Sequence, residues 1–246
     1  MAQNYLTMPG VTEKKKIKIN YPLIFLLLPG LMVFLLFTIY PIVKLLIMSF
    51  FDWQIGLEQK SVFVGFKNYL QVITDPICRK AIANTLVYAL VTVPSQIVLG
   101  LCVAVLIHST KRGKITFRVL YYLPVITSWV IAALVFKYIF NNEGFLNYLL
   151  CDLLQLTENY IPWLDRPATG LFVAELLGIW KGIGWNMVVF LAALQGVPVE
   201  LYEAASIDGS GKIKQFFYIT LPSIKNTILF ALVMLSIGAF NVFTSI

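Results

Sequence analysis

The residues best equipped to bind a solute lie in one stretch, Gly178-Ile179-Trp180-Lys181-Gly182-Ile183-Gly184-Trp185-Asn186. It places a cation, an amide, indoles and glycines inside an otherwise apolar run. An ionisable side chain at that depth is costly in hydrocarbon and points to function. Lys181 and Trp185 stand four residues apart, as do Gly178 and Gly182, so each pair shares one helix face. Such a face suits a pyranose. Trp180 or Trp185 can stack on its C–H surface, Lys181 and Asn186 can donate to its hydroxyl rim, and the glycines leave room. The same glycines form a small-xxx-small pair that would serve close helix packing, so ligand contact and packing both stand as readings. Glu175 in the same run is expected near the outer surface, and Lys137 and Lys44 are expected to snorkel to the interface.

Other chemistry is poorly supplied. Gly209-Ser210-Gly211-Lys212 suggests a phosphate-binding loop, but Ser206 replaces its first glycine and Ile213 replaces the hydroxyl residue that meets magnesium. His108 is the only histidine, which leaves no histidine triad and no zinc cluster. The three cysteines, Cys78, Cys102 and Cys151, lack metal-like spacing; a Cys78–Cys151 disulfide is weighed against free thiols, and thiols are expected. The acids of the outer loops read as solvated surface. No catalytic residue, metal site or cofactor is expected on this chain, and the chain is not read as an enzyme.

The elements that must position the tryptophan-glycine stretch are membrane helices. Of 246 residues, 59% are hydrophobic and 13% charged, and the mean hydropathy is +0.82. A soluble domain would carry about twice that charge. A polar tail, 1–20, carries Lys14, Lys15, Lys16 and Lys18 before the first apolar run, 21–51, which Pro41 is expected to kink and Trp53 to anchor. Further spans are expected at 82–107, interrupted at Pro94-Ser95-Gln96, and then at 119–140, 169–194 and 224–243. The tail, the basic segment 108–118 and the polar interval 196–222 fall on one side and hold most of the loop cations, whereas the intervening loops hold most of the acids. The positive-inside rule places that basic side in the cytoplasm. The net charge of +7 is thereby read as an orientation signal, with no nucleic-acid partner.

The polar interval reads GVPVELYEAASIDGSGKIKQFFYITLP. Pro198, Glu200 and Glu203 open a short helix, and Leu201, Ala204 and Ala205 give it a small apolar face. Asp208-Gly209-Ser210-Gly211 breaks it, a second piece covers 212–218, and Leu221-Pro222 leads into the last span. Two short helices across a glycine bend at a membrane surface are read as a docking element for another protein. The order Glu203-Ala204-Ala205, three residues, Gly209, nine residues, Ile219-Thr220-Leu221-Pro222 resembles the EAA loop of bacterial ABC importer permeases. The fuller text resembles the sugar-uptake branch, the relatives of the maltose-transporter membrane subunits.

That resemblance implies an all-α membrane protein with the type I ABC importer bundle, a permease domain over 21–246, and a binding-protein-dependent carbohydrate importer of the bacterial inner membrane. It implies cytoplasmic ATPase subunits, which carry ATP-Mg, gripping the loop through Glu203, Ala204, Ala205, Asp208, Gly209, Leu221 and Pro222. It also implies a second permease subunit and an extracytoplasmic sugar-binding protein. The maltose-type permeases take substrate contacts from the region of Gly178–Asn186 and from the fifth span, where Gly238 and Asn241 stand. Lys181 departs from a neutral sugar site and opens the reading of an anionic sugar. Family members normally carry a sixth span, so a C-terminally shortened chain is expected. Alternatives are an ABC permease for an amino acid, peptide or ion, a secondary transporter, which would need internal repeats and paired intramembrane acids, and a membrane-embedded enzyme.

Overall fold

A computed structural model of the chain describes residues 21–54 and 61–241. The basic tail 1–20 and the end of the expected fifth span lie outside them. The chain divides into two units, one ending at Asp75 and the other beginning at Pro76.

In the first unit, α1 (Tyr21–Phe34) passes through a wide π turn at Leu35–Ile39 into α2 (Tyr40–Met48). The wide turn directly precedes Pro41, whose ring and missing N–H do not fit a regular helical ladder. Phe25–Met48 is long and apolar enough to cross a bilayer, and no part of its most apolar window is buried within the chain. β1 (Phe51–Asp52) then pairs antiparallel with β2 (Val62–Phe63), Phe51 opposite Phe63. Asn68, on α3 (Lys67–Thr74), fixes this hairpin by donating to the carbonyls of Ser49 and Phe51, each at 3.0 Å.

The second unit is built on two long helices, α4 (Pro76–Ser109) and α8 (Pro167–Gln195). Between them come α5 (Lys114–Ile126), α6 (Trp129–Ile139) and the single turn α7 (Phe145–Asn147); α9 (Val199–Ile207), α10 (Lys212–Gln215) and α11 (Leu221–Phe240) follow. The core joins Leu101, Ala104 and Ile107 of α4 to Met187, Phe190 and Leu191 of α8 and to Ala231 of α11. Close approach of α4 and α8 depends on Gly100, where any Cβ would overlap that of Asn186. The outer faces of both helices stay apolar and unburied, as lipid-facing surfaces do.

Two sequence expectations are corrected here. α4 continues unbroken through Pro94-Ser95-Gln96. Ser95 Oγ donates back to the Val91 carbonyl at 2.6 Å, while Gln96 turns toward α8 and donates to the Gly178 carbonyl at 3.2 Å. In place of a straight third span stand two helices, α5 and α6, that meet at 95°, because Thr127 and Ser128 are extended. Among the described residues, four helices are long and apolar enough to cross a membrane, or five if the broken pair counts as one span.

The segment after α6 is pinned by one buried amide. Asn147 Nδ2 donates to the carbonyls of Asn142 and Ile161, both at 2.9 Å, and its Oδ1 accepts from the Ile161 N–H and Trp163 Nε1. Cys151 is a thiol set against Thr157, not half of a disulfide. The Tyr160 hydroxyl donates to Asp152 at 2.8 Å, and that bond holds the phenol above its ordinary pKa.

Candidate functional site

A cavity of about 250 Å³ opens where α4, α8 and α11 meet the break between α5 and α6. α8 contributes Gly178, Lys181, Gly182 and Trp185, and α11 contributes Gly238. Five of the residues singled out from the sequence are thus gathered around one space. The others are not. Asn186 is fully buried at the contact of α8 with Gly100 of α4, donating to the Gly182 carbonyl at 2.9 Å, and its Oδ1 has no partner among the described residues. Asn241 is exposed just past α11, its backbone N–H capping the Gly238 carbonyl. Trp180 packs toward α6 against Phe136, with ring centroids 5.6 Å apart.

The opposite wall comes from α4, which sequence reading passed over. Tyr88, Thr92 and Gln96 line the cavity at four-residue intervals, a polar stripe on one helix face. That spacing was the available signal. The glycines of α8 receive this stripe: a Cβ at Gly178 would overlap the Tyr88 hydroxyl, and one at Gly182 would overlap the Gln96 amide. Packing is therefore a real part of what these glycines do. Trp129, the first residue of α6, closes another side.

Lys181 does something the sequence did not suggest. Its ammonium donates to the carbonyls of Pro124 at 2.9 Å and Thr127 at 2.7 Å, with Thr127 Oγ1 at 3.4 Å, and lies 4.8 Å from the centroid of the Trp129 ring. The last carbonyls of a helix have no intrahelical partner, and at membrane depth each must be satisfied within the protein. A cation at the C-terminal end of α5 meets both needs and suits the negative end of the helix dipole. Lys181 thus clamps the break that lets Trp129 reach the cavity. Glu175 is buried within the protein, 7% exposed, with Oε1 unpartnered among the described residues. Lys137 is exposed, in the last turn of α6.

The interval 196–222 forms the second candidate site. Pro198 caps α9, and Gly209 adopts φ +74°, a left-handed turn that favours glycine. The second helical piece is not separate: α10 continues through a π turn at Phe216–Thr220 into α11, so that Lys212–Phe240 is one helical run. Glu203, Ala204, Asp208, Gly209 and Pro222 are exposed, whereas Ala205 and Leu221 are half-buried. The inner side is braced by residues that sequence reading did not select. Gln215 Nε2 donates to Ser206 Oγ at 2.9 Å and to the Ser210 carbonyl at 3.1 Å, and the Tyr202 and Thr220 hydroxyls meet at 2.8 Å. Leu201 and the 87%-exposed Ile207 stay uncovered on α9. His108 and Ser109, ending α4, line one cavity with Lys212. The 108–118 segment and this interval therefore start from the same end of the helices.

The family described as "Binding-protein-dependent transport system inner membrane component" matches residues 79–246. The probable ABC transporter permease protein YurN of Bacillus subtilis is 37% identical over 89% of this chain and 75% of its own length. The arabinooligosaccharides transport system permease protein AraP of Halalkalibacterium halodurans is 35% identical over 89% of this chain and 68% of its own. Among solved structures, a bacterial alginate ABC transporter in complex with alginate pentasaccharide-bound periplasmic protein superposes with a TM-score of 0.76 at 25% identity, covering 87% of this chain and 71% of that one.

Proposed function

The chain belongs to the family of binding-protein-dependent transport system inner membrane components, and from that premise we propose that it carries an uncharged saccharide into the cytoplasm, driven by separate ATPase subunits docked on α9. It is a non-catalytic permease subunit of an ABC sugar transporter. In this reading ATP and Mg²⁺ are bound by the partner ATPases. A second permease chain completes the path, and an extracytoplasmic binding protein delivers the sugar. The basic tail and the loops holding His108 and Lys212 face the cytoplasm.

The observation that carries the coupling proposal is the outward face of α9, where Leu201, Glu203, Ala204 and Ile207 stand uncovered beside the Gly209 bend. A short rigid helix of this kind transmits rigid-body movement of a docked partner to the spans, and Lys212–Phe240 leads straight from the bend into one. The sugar proposal rests on the cavity. Tyr88, Trp129 and Trp185 provide aromatic faces, and Thr92 and Gln96 provide polar groups. An anionic sugar is not favoured, since the cavity's cation is Lys181 and its ammonium is already held by Pro124 and Thr127.

The test is a detergent pull-down of the tagged chain, with a Glu203→Ala/Gly209→Asp variant beside it. An ATPase subunit is expected with the original chain and not with the variant. Its absence from both, when a longer chain extended by a further span also fails to retain it, removes the coupling proposal. Uptake assays with neutral and uronic-acid oligosaccharides then decide the charge of the cargo.

A further inference from the structure

A second, wholly apolar groove of about 630 Å³ runs between α4 and the helical run Lys212–Phe240. Ile97, Leu101, Cys102 and Leu106 form one wall, and Phe216 and Ile228 stand on the other. Both helices qualify as membrane spans, so the groove lies at hydrocarbon depth. From Ile97 to Leu106 it follows α4 for about 14 Å, close to half the roughly 30 Å hydrocarbon thickness of a bilayer and hence to one leaflet.

The groove does not end blindly. Val105 and Phe216 also line a neighbouring cavity of about 380 Å³, whose other walls include His108, Ser109, Tyr202 and Lys212. His108 and Ser109 end α4 and Lys212 begins the other span, so this mouth sits where hydrocarbon gives way to headgroups. No acid lines it. The Lys212 and His108 side chains are exposed and make no hydrogen bond or ion pair to a described residue. Gln215 and Thr220, which also line it, are already engaged in bracing α9.

We infer that this groove and its mouth bind one anionic phospholipid of the surrounding bilayer, an acyl chain lying along α4 and the phosphate meeting Lys212 and His108. Charge complementarity selects the occupant: an open apolar groove that leads to a cation unpaired among the described residues at the membrane interface matches an anionic lipid better than a zwitterionic one. The inference goes beyond the transport reading; it needs α4 and Lys212–Phe240 to span the bilayer and the groove to be left uncovered by protein.

The full chain, purified in mild detergent, is exchanged into bilayer discs holding equal phosphatidylglycerol and phosphatidylcholine, and the lipid retained on release is measured by native mass spectrometry. Phosphatidylglycerol is expected in about fivefold excess, the preference that one lysine near the surface supplies. Lys212→Gln, at an exposed and unpaired side chain, should bring the two lipids to parity without loss of fold. Cys102→Trp should fill the groove and reduce retention of both. Free glycerol phosphate should not displace the lipid, whereas displacement would reassign the mouth to a soluble phosphate. Parity in the original chain, or an excess untouched by Lys212→Gln, overturns the proposal. So does efficient thiol cross-linking of Cys102 between two chains, since protein would then cover the groove. No ATPase and no sugar enter this assay, so its outcome is separate from that of the pull-down.

Discussion

The segment from Pro198 to Pro222 and the cavity between α4, α8 and α11 are assembled from different distances along the chain. Glu203, Gly209 and Gln215 lie within one short stretch, and the bonds that brace it join residues at most 18 apart in sequence. Around the cavity, Lys181 holds carbonyls 57 and 54 residues away, and Gln96 reaches a carbonyl 82 residues away. The first region is a local device whose outer face is exposed. The second is a tertiary one in which polar groups are largely occupied with each other. A polar residue in the cavity wall must therefore first be asked which backbone group it already serves.

The sharpest way to break the comparison is at Gly209. With φ +74° and nothing near the space a Cβ would fill, this position tests backbone conformation free of steric clash. A β-branched residue is a true outlier there, whereas Asn tolerates the left-handed region. Gly209→Val is expected to abolish sugar uptake while the chain still inserts in the membrane, and Gly209→Asn is expected to retain most of it. Equal loss in both variants, measured with membrane levels matched, would mean that the bend itself is not what couples the loop.

Lys181 comes next. Lys181→Met leaves the Pro124 and Thr127 carbonyls without their donor at membrane depth, a penalty of about 1–3 kcal/mol for each group left unsatisfied. Thermal unfolding in detergent should show a clear loss of stability, with discrimination between neutral and anionic sugars unchanged in whatever uptake remains. A raised KM with undiminished thermal stability would restore Lys181 as a donor to the ligand and discard its role as a clamp.

This division also explains what the sequence could and could not disclose. The membrane class, the family and the helix-and-bend form of the 196–222 interval were legible because hydropathy, the Glu203-Ala204-Ala205…Gly209 spacing and Pro198 act locally. The face of α8 carrying Gly178, Lys181, Gly182 and Trp185 was legible from helical periodicity, and it does line the cavity. The roles on that face were not legible. Nothing near Lys181 in sequence signals that α5 stops at Ile126 and leaves carbonyls to be capped. The break itself hid in an apolar run, because hydropathy does not distinguish a straight span from two helices meeting at 95°. Pro94 misled in the opposite sense, since a proline signals a break that the packing of α4 on α8 overrides. Asn186, one residue from Trp185, faces the packed side of α8 for a geometric reason: successive residues of a helix point about 100° apart.

The smallest expected effect separates the two tryptophans of α8. Trp185 lines the cavity and leans on Phe230 at 6.5 Å, whereas Trp180 lies against Phe136 on the side of α6. An aromatic contact contributes about 0.5–1.5 kcal/mol beyond the area it buries. Trp185→Ala should accordingly raise the KM for sugar uptake by roughly two- to tenfold with little change in the maximal rate. Trp180→Ala should leave the KM unchanged and lower thermal stability, because its loss affects the seat of α6 and not the cavity. If the two variants shift the KM alike, the cavity between α4, α8 and α11 is not where the sugar passes, and the polar stripe Tyr88, Thr92 and Gln96 is interhelical packing alone.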